Sequence, residues 1–214
     1  TAEDPIEYTI DGIGQTQVNT KAGMTFAKSL RAMLRQDPDI LMVGEIRDLE
    51  TAEIAVQASL TGHLVLSTLH TNNAVGAITR LQDIGVGAYL IASSVKGVLA
   101  QRLVRRLCPQ CKQAYTLSVE EAAQLGDNQL TGSNAYKACG CQACNQTGYR
   151  GRIGVYELLV IDEALSELIH AEASETELYR YLRQQLGTLQ HEARALISQG
   201  VTSVAEVSRS IRSD

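Results

Sequence analysis

Two C-x-x-C pairs, Cys108-Pro109-Gln110-Cys111 and Cys141-Gln142-Ala143-Cys144, oblige the chain to fold back on itself if all four thiols are to serve one ion. Each pair offers two thiolates, and two pairs complete the tetrahedral sphere of a structural Zn²⁺. The spacer between Cys111 and Cys141 is longer than the usual ~15–20 residues of a compact ribbon, so the spacing predicts an insertion, for which the polar stretch 118–133 is suited. Cys139 is a fifth thiol that the x-x spacing leaves outside the set. A redox pair or inert cysteines are the alternatives. An odd number of cysteines crowded into 108–144 fits a metal site in a reducing compartment better than a disulfide framework.

Before the cysteines, helical and strand patterns alternate. Phe26, Leu30, Met33 and Leu34 fall on one face of a helix over 25–36, and Asp37-Pro38-Asp39 ends it. Ile40 to Val43 reads as a short buried strand, 49–60 as a helix, 63–70 as a second strand and 74–83 as another helix. Residues 89–107, with Val95, Val98, Leu99 and Leu103 on one side, read as a longer helix. This βαβα order predicts an α/β fold with a mostly parallel sheet and helices on its faces. After about 155 the chain turns helical again, with capping boxes at Ser174/Glu177 and Ser203/Glu206 and helix stops at Gly187 and Gly200. The division expected is 1–104, 105–155 and 156–214.

Glu45 follows the apolar run 40–43, which puts an acid at the carboxyl end of a strand, the edge where open α/β sheets bind ligands. A carboxylate there suits contact with the water shell of Mg²⁺ or the orientation of an attacking water; a solvated strand-end acid is the plain alternative. Glu3 and Asp4 form a second acidic pair before Pro5. His63 and His70 bracket a strand, and His70 lies at its ligand edge. The phosphate loop G-x-x-x-x-G-K-S/T is absent, and its decoy at 22–29 has alanines where both glycines are needed.

The formal charge of −5, the absence of Trp and the single Phe weigh against a nucleic-acid binder, although Arg102, Arg105, Arg106, Arg150 and Arg152 flank the cysteines. No run approaches the ~18 apolar residues of a membrane helix. A start at Thr1, already in a strand-like segment, suggests a piece of a larger protein.

Four segments together, TAEDPIEY (1–8), RQDPDILMVGEIRDLETAEIA (35–55), TGHLVLSTLHTNNA (61–74) and CNQTGYRGRIGVYEL (144–158), resemble the type II secretion/type IV pilus assembly ATPase family. The resemblance covers nearly the whole chain. It implies a RecA-like half-domain in which Glu3 and Asp4 match the Asp box, Glu45 the atypical Walker B glutamate, and His63 and His70 the His box. Cys108, Cys111, Cys141 and Cys144 match the tetracysteine zinc site. It further implies catalytic roles for Glu45, Glu3 and His70, and nucleotide contact through Asp4 and His63. The parent is then expected to be a cytoplasmic homo-hexamer that hydrolyses ATP with Mg²⁺ and drives an inner-membrane platform protein, lying peripherally at that membrane. The tetracysteine module resembles secretion and pilus-extension members rather than retraction motors. A non-enzymatic zinc-ribbon interaction module is the rival, and without the phosphate loop the chain alone is expected to be inactive.

Overall fold

The computed structural model of the chain describes residues 1–184 and 188–211. In order, the elements are β1 (Ala2–Glu3), β2 (Thr16–Gln17), α1 (Phe26–Met33), β3 (Ile40–Val43), α2 (Leu49–Leu60), β4 (Leu64–Ser67), α3 (Ala74–Ile84) and α4 (Ala88–Ser94). There follow β5 (Gly97–Leu107), β6 (Gln113–Thr116), α5 (Val119–Gln124), β7 (Asn134–Lys137), β8 (Tyr149–Val160), α6 (Glu163–His170), α7 (Glu175–Gln184), α8 (Leu189–Ser198) and α9 (Val204–Ser210). The chain divides into two compact units, 1–98 with 160–179, and 99–159 with the residues from 180 onward.

The first unit is built on a four-stranded sheet in the order β2-β1-β3-β4, every pair parallel. Local chemistry starts its helices cleanly. Thr25 accepts from the Lys28 amide at the head of α1, and Asp48 accepts from the Thr51 amide at the head of α2. Leu30 of α1, Leu41 and Val43 of β3, and Ile54, Ala55 and Ala58 of α2 form one apolar cluster. Each large aliphatic side chain in it stabilises the fold by roughly 1.5–3 kcal/mol. β3 and β4 pair with Ile40 opposite Leu64 and Met42 opposite Leu66, so these four share the other face of the sheet. Ile40 and Leu64 are more than half exposed there, and Leu66 is half exposed.

Residues 89–107 are not one helix. α4 ends at Ser94, Val95 is already extended, and β5 runs from Gly97 to Leu107. Within β5 burial alternates, with Leu99, Gln101 and Leu103 exposed and Val98, Ala100, Arg102 and Val104 turned inward, which is the period of a strand. The spacing of Val95, Val98, Leu99 and Leu103 satisfies a helical template by coincidence. What decides the conformation is pairing with β8, far along the chain.

In the second unit the insertion between the cysteine pairs is itself folded. β6 and β7 pair antiparallel, Gln113 opposite Lys137 and Thr116 opposite Asn134, with α5 between them. The core gathers Val104, Leu117, Leu125, Ala135, Val155, Leu189, Ala193, Ile197, Val204 and Val207. The capping box at Ser174/Glu177 forms. At Ser203 only half of one forms: Ser203 Oγ accepts from the Glu206 amide, but the Glu206 carboxylate goes to Arg105 and Arg209. Gly200 follows α8 with φ +66°, while Gly187 lies outside the described residues. Among the described residues no helix is long and apolar enough to cross a membrane.

Candidate functional site

Parallel pairing brings the carboxyl ends of β1, β3 and β4 to one edge, and the chemistry of the first unit gathers there. The chain leaves β3 through Gly44, whose amide donates to the Ala2 carbonyl at 2.7 Å. A Cβ on Gly44 would stand 3.1 Å from that carbonyl and 3.4 Å from Phe26, so glycine permits the close crossing that delivers Glu45 to the edge. Thr68, just past β4, donates through Oγ1 to the Gly44 carbonyl at 2.6 Å and accepts at its own carbonyl from the Ile46 amide at 3.1 Å. These bonds tie the two exit loops together.

The Glu45 side chain is only 11% exposed and is held at both oxygens. Arg47 Nη2 lies 2.5 Å from Oε1, and His70 Nε2 lies 2.9 Å from Oε2. The Arg47 hydrogen bond, with a smaller contribution from His70, outweighs the partial burial and holds the carboxyl below the usual range, so Glu45 is ionised at neutral pH. Glu3 is engaged locally, its Oε1 accepting from Thr1 Oγ1 at 2.5 Å and Gln15 Nε2 at 3.0 Å, and the Gln15 bond leads in lowering its pKa. Asp4 lines a cleft of about 530 Å³ together with Gln17, Val18, Asn19, Thr20 and Lys21. His63 stands at the amino end of β4, its Nδ1 3.0 Å from the Ala58 carbonyl and 3.2 Å from Thr61 Oγ1, away from Glu45. Of the two histidines, only His70 meets the acid.

In the second unit Cys108, Cys111, Cys141 and Cys144 converge, their sulfurs all within 4.8 Å of one another. A tetrahedron with Zn–S bonds of ~2.3 Å has edges of ~3.8 Å. The Cys108–Cys141, Cys111–Cys144 and Cys141–Cys144 separations are 3.9, 3.9 and 3.7 Å, so the donor set fits such an ion. Amides already point at the sulfurs: Gly140 donates to Cys111 at 3.3 Å, and Cys141 and Gly148 each donate to Cys144 at 3.2 Å. Burial pushes the Cys111 thiol up to about 11. Burial also raises Cys144, but the two amides and the neighbouring thiols overcome it and bring Cys144 to about 6. Cys139 is exposed and lies outside the cluster.

Two residues carry more than their sequence signals suggest. Arg47 is an ordinary surface arginine until β3 and its exit loop set it beside Glu45; its place two residues after a strand-end acid was the available clue. Glu206 reads as a capping residue, yet its carboxylate has no exposed surface and pairs with Arg105 at 2.6 Å and Arg209 at 2.8 Å. Arg105, one of the arginines that flank the cysteines, is thereby committed to an ion pair.

The chain is 57% identical over 209 residues to the type II secretion system ATPase E of Vibrio cholerae, covering 98% of this chain and 42% of that protein. It is 58% identical over 214 residues to the type II secretion system protein E of Pseudomonas aeruginosa, covering 100% of this chain and 43% of the relative. It thus spans less than half the length of these relatives. Among solved structures, the pilus retraction motor PilT with bound ADP superposes with a TM-score of 0.67 at 30% identity, over 96% of this chain and 50% of that one. The ATPase DotB of Legionella pneumophila, 24% identical over 96% of this chain and 48% of that one, shares the fold with a TM-score of 0.64. The family model described as Type II/IV secretion system protein matches residues 1–209, and the chain belongs to that family.

Proposed function

We propose that the parent of this chain hydrolyses ATP to power type II secretion, with the carboxyl edge of the first sheet as the catalytic half of its nucleotide site. The observation that carries this reading is the ionised Glu45, gripped by Arg47 and His70 at a sheet edge beside the Glu3–Asp4 acids. A carboxylate with a lowered pKa is a weak proton acceptor but a good hydrogen-bond acceptor, so Glu45 acts chiefly by orienting the attacking water. His70, exposed and already donating at this edge, is suited to the terminal phosphate. Asp4 and Glu3 offer the hard oxygens that suit Mg²⁺ and its water shell. Mg²⁺, when bound with the nucleotide, neutralises charge developing on the phosphates. His63 serves the turn between α2 and β4 instead.

In this reading the first unit carries the nucleotide chemistry and the second unit a structural zinc module. Zn²⁺ at the four cysteines supplies folding free energy rather than reactivity. Identity near 57% to the secretion protein, against 30% to the retraction motor, favours secretion over retraction. A cytoplasmic homo-hexamer acting on an inner-membrane platform protein completes the proposal.

The test is Glu45→Gln in the full-length parent, which keeps side-chain size and removes the carboxylate. ATP binding and oligomer formation should persist while kcat falls by roughly 10²-fold or more. Near-normal kcat in a folded variant would pass the role to Glu3, Asp4 or a residue outside this chain.

A further inference from the structure

The second unit holds a buried carboxylate that the nucleotide chemistry does not use. Glu206 Oε1 accepts from the Arg105 amide at 3.0 Å and from Arg209 Nη2 at 2.8 Å. Its Oε2 accepts from Arg105 Nε at 2.9 Å, Arg105 Nη2 at 2.6 Å and Arg209 Nε at 3.2 Å. A carboxylate so fully desolvated and satisfied is strongly direction-setting, because removing one side strands the other.

Its neighbours give it a consequence. The segment 200–209 grips three of the four stretches of chain that enter or leave the cysteine pairs. Ahead of Cys108, Thr202 Oγ1 donates to the Arg105 carbonyl at 2.9 Å, and the Leu107 amide donates to the Val201 carbonyl at 2.8 Å. Just after Cys111, Lys112 Nζ donates to the Gly200 carbonyl at 2.8 Å. Beyond Cys144, the Tyr149 hydroxyl meets Ser203 Oγ at 2.7 Å, and the Arg105 guanidinium lies 4.1 Å over the Tyr149 ring. Tyr149 follows Gly148, whose amide donates to Cys144 and whose carbonyl accepts from the Cys108 amide. One short segment therefore spans both knuckles from behind.

We infer that residues 200–209 form a latch, centred on Glu206, through which metal held at the four cysteines and the docking of α9 stabilise each other. Glu206 is a positioning residue in this scheme. It touches no sulfur and acts through Arg105 and Tyr149 on the segments that aim them. Linkage makes the effect reciprocal: if a docked α9 favours metal retention, metal favours a docked α9 by the same factor. Loss of the ion to a chelator then loosens the docking of α9.

The inference rests on the zinc reading of the cysteine site, and the experiment separates the two. Zinc content is measured first on the full-length protein as purified; the absence of stoichiometric zinc overturns the metal reading and the latch together. Zinc transfer to a chromogenic chelator is then timed for wild type, Glu206→Gln and Leu125→Ala, the last removing volume from the same core at a residue outside 200–209. Glu206→Gln should release zinc about tenfold faster, the lower end of the effect of residues that orient metal ligands, while Leu125→Ala stays near wild type. Should Glu206→Gln fail to fold, Tyr149→Phe, which deletes only the bond to Ser203, carries the same test. Hydrogen exchange at residues 204–210 gives the reciprocal arm, with protection lost when zinc is stripped. Unaltered release in the folded latch variant, release from Leu125→Ala as fast as from Glu206→Gln, or α9 protection indifferent to zinc each overturns the latch while leaving the zinc site standing.

Discussion

Gly148→Ala should destabilise the protein far more than Gly151→Ala, although both glycines sit at φ +75°. In that left-handed region any Cβ costs about 1 kcal/mol, and both variants bear that cost. At Gly151 nothing lies within 4 Å of the added Cβ, so the cost stops there. At Gly148 the Cβ would fall 2.6 Å from the Ala138 Cβ and 3.1 Å from the Cys139 nitrogen. Carbon atoms in contact prefer about 3.5–4.0 Å, so the backbone must move by close to an ångström. Overpacking of this kind costs about 1–3 kcal/mol. The movement also endangers the Gly148 amide bond to Cys144 Sγ at 3.2 Å and the Cys108 amide bond to the Gly148 carbonyl at 2.9 Å, each worth about 1 kcal/mol. The expected loss is about 3–4 kcal/mol for Gly148→Ala against about 1 kcal/mol for Gly151→Ala. Urea denaturation followed by circular dichroism, compared at equal slope, measures both. A difference under about 1 kcal/mol would refute the reasoning, since it would mean that the Gly148 turn yields without resistance.

In the full-length parent, His70→Ala should lower kcat more than His63→Ala, because only His70 contacts Glu45; equal or reversed losses would count against the assignment. Acid titration of stability should single out Glu206, whose ion pairs bring its pKa, despite burial, to about 2 from an ordinary 4.5. A depressed folded pKa contributes stability that is complete above the unfolded value and is lost as pH falls from about 4.5 towards 2. Allowing for the solvent exposure of Arg105 and Arg209, wild type should lose about 1–2 kcal/mol more than Glu206→Gln between pH 6 and pH 3 when both start zinc-loaded. Parallel pH profiles for the two proteins would show that Glu206 is not held as an ion.

The elements that announced themselves in the sequence were those whose signals are local. Ile40 to Val43 is a short apolar run between helix-forming stretches and is a strand over those residues; 49–60 begins with a capping Asp48 and is a helix over those residues. The four cysteines were legible because ligand spacing is a property of single loops, even though the insertion that reunites them is not. Residues 97–107 were misread because a strand buried on one side and paired with a segment some fifty residues away leaves only weak local periodicity, and its valines and leucines also satisfy a helical template. The Glu45–His70 pair could be placed at one edge from strand direction alone. That Arg47 takes the second Glu45 oxygen depends on the path of a loop, which carries no period at all. Glu206 was hidden by a plausible lesser role, since Ser203 and Glu206 have the spacing of a capping box and form half of one.

β4 is one of the two outer strands of its sheet among the described residues, and it carries no charge. Its Leu64 and Leu66 are 54% and 50% exposed, beside an Ile40 that is 62% exposed. An open row of amides and carbonyls bordered by bare leucines is a template on which another copy of the same strand can zip. For this stretch of chain handled on its own, shelf life in concentrated solution is therefore governed by that uncharged rim. The melting temperature would be a poor guide to it, because the cross-chain pairing starts from the native surface and needs no unfolding.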